Sequence, residues 1–137
     1  MKNNAPTPLT MSVLQTTLNI QLGCAELGFD WPEVAPVFAK VLEEIEEVKA
    51  EVYVKHQQQE KIQDEIGDLL FSVVNLSRHL GVNPDIALIK ANEKFIKRFT
   101  VVEQFAAEQN TELTGLNSDA LELLWQKAKK ILINAEQ

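Results

Sequence analysis

The sequence predicts an all-α fold: an antiparallel helical bundle of about four main helices followed by a short C-terminal helix. Three observations carry this. Apolar residues recur at three- and four-residue spacing along most of the chain, and no segment shows the apolar/polar alternation of a half-buried strand. Gly28, Pro32, Gly81 and Pro84 stand where one apolar stripe ends and the next begins. The chain also lacks a glycine-rich phosphate loop and an internal repeat, so helices packed on helices are the remaining way to bury its apolar residues.

The elements follow in order. Residues 1–9, MKNNAPTPL, combine two prolines with small polar residues and read as a flexible lead-in, leaving 10–137 as a single domain. From Thr10, the positions Val13, Leu14, Leu18, Leu22 and Ala25 keep the helical period until Gly28 stops it. Asp30, Pro32 and Glu33 supply a cap, a first-turn proline and a capping carboxylate. A second helix is therefore expected over about 32–54, with Val34, Phe38, Val41, Leu42, Ile45, Val48 and Val52 on its stripe. The polar run 55–61 bends the chain or extends a helix end. Ile62, Ile66, Leu69, Leu70, Val73, Leu76 and Leu80 carry a third helix to Gly81. Asn83 and Pro84 start a long fourth helix bearing Ile86, Ile89, Ala91, Phe95, Phe99, Val102 and Phe105. Ser118 is the expected cap of a short fifth helix carrying Leu121, Leu124, Trp125, Ala128 and Leu132. Trp31 and Cys24 read as core residues.

Charge and composition narrow the function. A net charge of −7 argues against a nucleic-acid polymer as the partner. No charged-then-apolar leader and no apolar run of membrane-spanning length is present, so the expected location is cytoplasmic with no membrane partner. The single cysteine, Cys24, forms no internal bridge, and His56 and His79 do not stand in the Glu-x-x-His pattern of di-iron bundles.

The acidic residues are the remaining chemistry. Glu44 and Glu47 are three apart, and so are Glu65 and Asp68 on the next helix, so each pair shares a helix side and flanks an apolar stripe. If those stripes pack antiparallel, four carboxylates converge at the rim of the shared groove. They repel one another unless a cation neutralises them, and a hard divalent ion with oxygen ligands is suited to that task. Periodicity leaves Glu43 with Glu46 as an equal alternative to Glu44 with Glu47, on the opposite edge of the stripe. An acidic face on a helical hairpin is also, taken alone, ordinary solvated structure.

Glu-x-x-Glu at 44–47 followed by Glu-x-x-Asp at 65–68 resembles the signature of the MazG-type nucleoside triphosphate pyrophosphohydrolases. The likeness extends through GFDWPEVAPVFAKVLEEIEEVKAE, DEIGDLLFSVVNLSRHLG and ALIKANEKFIKRF to the tryptophan of LLWQKAKK, from about residue 12 to 130. It corresponds to the C-terminal catalytic domain of the two-domain members. The resemblance selects Glu44 and Glu47, and implies that Glu44, Glu47, Glu65 and Asp68 hold Mg2+ as the catalytic acids. The implied reaction is magnesium-dependent hydrolysis of a nucleoside triphosphate between the α- and β-phosphates, giving a monophosphate and pyrophosphate. The implied role is clearing abnormal nucleotides or controlling normal pools. Carried over by position, Lys40, Lys61, Lys94 and Arg98 would contact substrate, and Trp125 would lie near the nucleotide, where an aromatic face can stack on a base.

The sequence departs from the family in two ways. The 137 residues are expected to act without the N-terminal repeat of the two-domain members, and Asn19, Leu22 and Gly23 stand where relatives often carry basic residues. The alternative to an enzyme is a catalytically silent helical module that binds a nucleotide or a protein partner. The complete acid set favours the enzyme, because a silent relative is free to lose one. The resemblance and the long apolar stripes together imply a homodimer or a dimer of dimers.

Overall fold

A computed structural model describes residues 11–135, and the expected lead-in at 1–9 lies outside them. Among the described residues there are five α-helices, a 3-10 turn and no strand: α1 (Val13–Glu26), α2 (Ala35–Val52), α3 (Gln59–His79), α4 (Pro84–Glu108), the 3-10 turn Leu113–Gly115, and α5 (Ser118–Ala135). The all-α helical bundle expected from periodicity is what forms. The chain divides into two compact units at Ala87/Leu88.

In the first unit, α2 and α3 make the main helix pair and α1 packs on α3. The six-residue connection 53–58 forces α2 and α3 to run antiparallel, so residues near 44 meet residues near 66. Ser12 caps α1, its Oγ accepting from the Gln15 N–H at 2.9 Å, and Gly28, at φ +89°, takes the left-handed turn beyond its end. Gly81, at φ +70°, does the same after α3, and Asn83 then caps α4 by accepting from the Ile86 N–H at 3.1 Å. Leu18, Val37 and Val74 are its buried apolar residues.

The second unit is built from the rest of α4, the 3-10 turn and α5. Val102, Leu124 and Ala128 form its core, with Phe105, Leu113, Leu116 and Trp125 packed around them.

Several expectations are corrected. The second helix begins at Ala35, with Val34 at its cap and Pro36 in its first turn, because Asp30 is engaged elsewhere. Asn117 rather than Ser118 caps α5, accepting from the Ala120 N–H at 2.9 Å, and α5 is not short: it has 18 residues, as many as α2. Trp31 is exposed over 44% of its surface, and Cys24 is exposed as well, so neither is a core residue. The stripes are also narrower than expected, with Val41, Ile45, Val48 and Val52 of α2 and Ile62, Leu69 and Leu76 of α3 half-buried. Val37 and Val74 point inward, whereas Phe38, Leu42, Ile66, Leu70 and Val73 are exposed. Apolar residues span more than one face of each helix, so periodicity locates the helix but not which face its neighbours cover.

Candidate functional site: an acidic cluster opening on a cleft

The antiparallel α2/α3 pair brings one α2 acid against two from α3. Carboxylate oxygens of Glu44, Glu65 and Asp68 all lie within 4.8 Å of one another. Glu44 is only 7% exposed, Glu65 is half-buried and Asp68 is exposed, so the cluster runs from the helix interface out to solvent. Of the α2 acids in the two pairs that periodicity left open, Glu44 faces α3, and Glu43 and Glu46 are exposed. Glu47 is also exposed and stands outside the group of three, although its charge is felt there.

The electrostatics are those of crowded acids. Partial burial pushes the Glu65 carboxyl above its ordinary value, and the negative charges of Asp68, Glu47, Glu44 and Glu51 push it further in the same direction. Lys40, one turn before Glu44, counters part of this charge: its Nζ lies 3.1 Å from Glu44 and 3.3 Å from Glu43. Those two carboxylates, Glu44 first, raise the Lys40 ammonium above its usual range. Three clustered carboxylates, one of them buried, are a donor set that fits a hard divalent cation.

Lys40, Glu44 and Asp68 open on a cleft of about 390 Å³ whose other walls include Ile20, Gln21, Phe29, Trp31, Phe71 and Arg78. Arg78 on α3 donates to Asp30 from Nη1 at 2.9 Å and from Nη2 at 2.7 Å, and also to Asn75 Oδ1 at 2.8 Å. The His79 ring lies 3.0 Å from Asp30. The Arg78 guanidinium holds the Asp30 carboxyl far below the usual carboxylate range, with help from the Trp31 N–H. This clasp ties the segment between α1 and α2, which carries Phe29 and Trp31, to α3.

The other sequence candidates are placed as follows. Lys61 is exposed on the first turn of α3. Lys94, Arg98 and Trp125 belong to the second unit, where the Arg98 guanidinium sits 5.7 Å from the centre of the Trp125 ring and Phe95 packs against the same ring at 5.2 Å. Lys94 and Arg98 share a hollow with Lys90, Lys97 and Lys129.

These features meet the comparisons with known proteins. The MazG nucleotide pyrophosphohydrolase domain matches residues 34–102, which include all of α2 and α3 and therefore the whole acidic cluster. The chain belongs to the MazG family. It is 46% identical over 123 residues to the nucleoside triphosphate pyrophosphohydrolase of Escherichia coli strain K12, a match covering 90% of this chain and 47% of that protein. It is 38% identical over 116 residues to the nucleoside triphosphate pyrophosphohydrolase/pyrophosphatase MazG of Thermotoga maritima, covering 85% of this chain and 44% of that one. The chain spans about half the length of the curated relatives it matches.

Sequence reasoning missed Gln21, Phe29, Phe71, Asn75 and Arg78 as cleft residues. Gln21 did leave a signal: it stands three residues after Leu18 and four before Ala25, a polar side chain on the apolar stripe of α1. Asp30 and Arg78 left none, since they are 48 residues apart and meet only through the fold.

Among the described residues, no helix is long and apolar enough to cross a membrane.

Proposed function

We propose that this chain hydrolyses nucleoside triphosphates between the α- and β-phosphates, giving a nucleoside monophosphate and pyrophosphate. The observation that carries this reading is the cluster of Glu44, Glu65 and Asp68, set beside a cleft in a domain of the MazG family. The names of the Escherichia coli and Thermotoga maritima relatives support it.

Glu44, Glu65 and Asp68 would hold Mg2+, with Glu47 as the fourth acid of the signature. The ion would supply charge neutralisation at the phosphates and acidify a bound water. Lys40 is already paired to Glu44 and can turn from it to a phosphate oxygen, so that the substrate enters a site whose ammonium is in place. Lys61, Lys94 and Arg98 are the further proposed phosphate contacts, and Trp125 a proposed nucleotide contact. The basic hollow around Lys94 and Arg98 supports an anion-binding role for that stretch of α4. Water adds across the anhydride, the bridging oxygen leaves with pyrophosphate, and the residues of this chain orient the triphosphate and exclude competing geometries.

We take residues 10–137 as one catalytic domain acting in the cytoplasm as at least a homodimer. The exposure of Phe38, Leu42, Phe95 and Phe99 supports assembly, since a lone chain leaves these aromatic and aliphatic side chains in water.

Release of pyrophosphate and monophosphate from a panel of common and modified nucleoside triphosphates, with and without magnesium, tests the activity. Magnesium-dependent release of both products is expected. No release from any triphosphate by folded protein would leave a nucleotide-binding scaffold. Light scattering at micromolar protein tests the assembly, and a monomeric mass would count against it.

A further inference from the structure

Glu44 is the buried member of the acidic cluster, and burial removes the water that would otherwise screen its charge. Among the described residues, one cation stands within ion-pair distance of Glu44, Glu65 or Asp68: the Lys40 ammonium, 3.1 Å from Glu44 Oε1. The same ammonium lies 3.3 Å from Glu43, whose side chain is 59% exposed, so Glu43 is solvated and Glu44 is not. The spacing of one helical turn, i to i+4, brings the ammonium to Glu44 without help from another element. Lys40 is itself half exposed and lines the cleft together with Glu44 and Asp68. Its flexible four-carbon stem can therefore swing the ammonium off Glu44 and leave it in the same cleft.

We infer that Lys40 is the resident counter-ion of the acidic cluster, holding Glu44 until a divalent cation takes its place, and that its release couples metal binding to triphosphate binding. The inference rests on the reading of the cluster as a metal site and of the substrate as a nucleoside triphosphate. A divalent ion at Glu44 and an ammonium 3.1 Å from the same oxygen repel each other, so the two compete for one carboxylate. With Lys40 in place the acids are partly neutralised, and the cluster holds a divalent ion less tightly than three bare carboxylates would. Once displaced from Glu44, the ammonium keeps only the solvated Glu43, and a phosphate oxygen entering the cleft is a better partner. Linkage makes the effect mutual: a triphosphate that draws Lys40 away clears Glu44 for the ion by the same factor. The Lys40–Glu44 pair thus favours metal and substrate arriving together over metal held alone.

Calorimetric titration of the full chain with Mg2+, without nucleotide, tests this apart from turnover. Lys40→Met, which keeps the stem and removes the charge, is expected to bind Mg2+ about 5- to 20-fold more tightly than the parent, the effect of removing one competing charge a few ångströms from a divalent ion. Lys40→Arg should stay near the parent, since a guanidinium can pair with Glu44 in the same way. Lys49→Met, which removes an equal charge from an exposed position on α2, should shift the affinity by less than about 2-fold. The coupling is read from the α,β-methylene analogue of ATP: the gain in its affinity on adding Mg2+ should be about 5-fold smaller in Lys40→Met than in the parent. An unchanged or weaker Mg2+ affinity in Lys40→Met, an equal rise in Lys49→Met or Lys40→Arg, or an equal gain for the analogue in parent and Lys40→Met overturns the inference. Pyrophosphate release from ATP by the parent, run in parallel, separates the two readings. Release with unchanged Mg2+ affinity in Lys40→Met keeps the hydrolase and removes the counter-ion, whereas tighter Mg2+ binding in Lys40→Met without release from the parent keeps the counter-ion and removes the hydrolase.

Discussion

The two units of this chain carry opposite electrostatic characters. Residues 1–87 hold thirteen acidic and six basic residues, and residues 88–137 hold seven of each, so the whole net charge of −7 belongs to the first. In the first unit the charge is concentrated where three carboxylates crowd together on α2 and α3. In the second, Lys90, Lys94, Lys97, Arg98 and Lys129, with Glu93 among them, line one hollow. Overall charge therefore misleads about partners. The crowded acids of the first unit call for a cation, and the cationic side chains of the second can face an anion.

The comparison breaks most sharply at the acids. Glu65→Ala removes one of three clustered ligands and is expected to lower kcat for pyrophosphate release by about 1,000-fold or more, measured with magnesium in excess. Retention of most of the activity would mean that the first unit does not house the chemistry. Lys94→Ala tests the second unit, with an expected loss of about 10- to 100-fold in kcat/KM. Lys130→Ala, at an exposed position on α5, should stay near the parent value. Equal effects from the two variants would reduce the basic hollow to a diffuse surface charge.

Smaller effects are expected on stability. Magnesium should raise the midpoint of thermal unfolding, by about 2–3 kcal/mol of stabilisation at 100-fold excess over its dissociation constant, and Glu44→Ala should abolish that rise. Chelation should return the parent to its metal-free midpoint. The least effect belongs to the Asp30–Arg78 clasp, where Asp30→Asn should cost about 1 kcal/mol at neutral pH. Because Arg78 lowers the Asp30 pKa in the folded protein, the clasp contributes fully above the unfolded carboxylate value of about 4. That contribution is lost as pH falls below it toward the folded value, and in Asp30→Asn this part of the acid-side decline should be missing from unfolding curves.

Helix existence and punctuation were legible from local sequence. Spacing located all five helices, Gly28 and Gly81 ended two of them, and Asn83 with Pro84 began another, because 3.6-residue periodicity and caps depend on residues within one turn. Spacing showed the acids only as pairs three apart on one helix side, and it was the family resemblance that selected Glu44 and Glu47 over Glu43 and Glu46. Local spacing could not say which edge of α2 turns toward α3. That required the pairing of the two helices, which buries Glu44 and leaves Glu43 and Glu46 in solvent. Nor could it place Trp31 on a cleft wall, join Asp30 to Arg78 across 48 residues, or show that Gln21 keeps an unpaired oxygen. Those features arise between segments far apart in the chain, where packing sets burial and partner together, and burial is what shifts the charge balance of an otherwise ordinary acid.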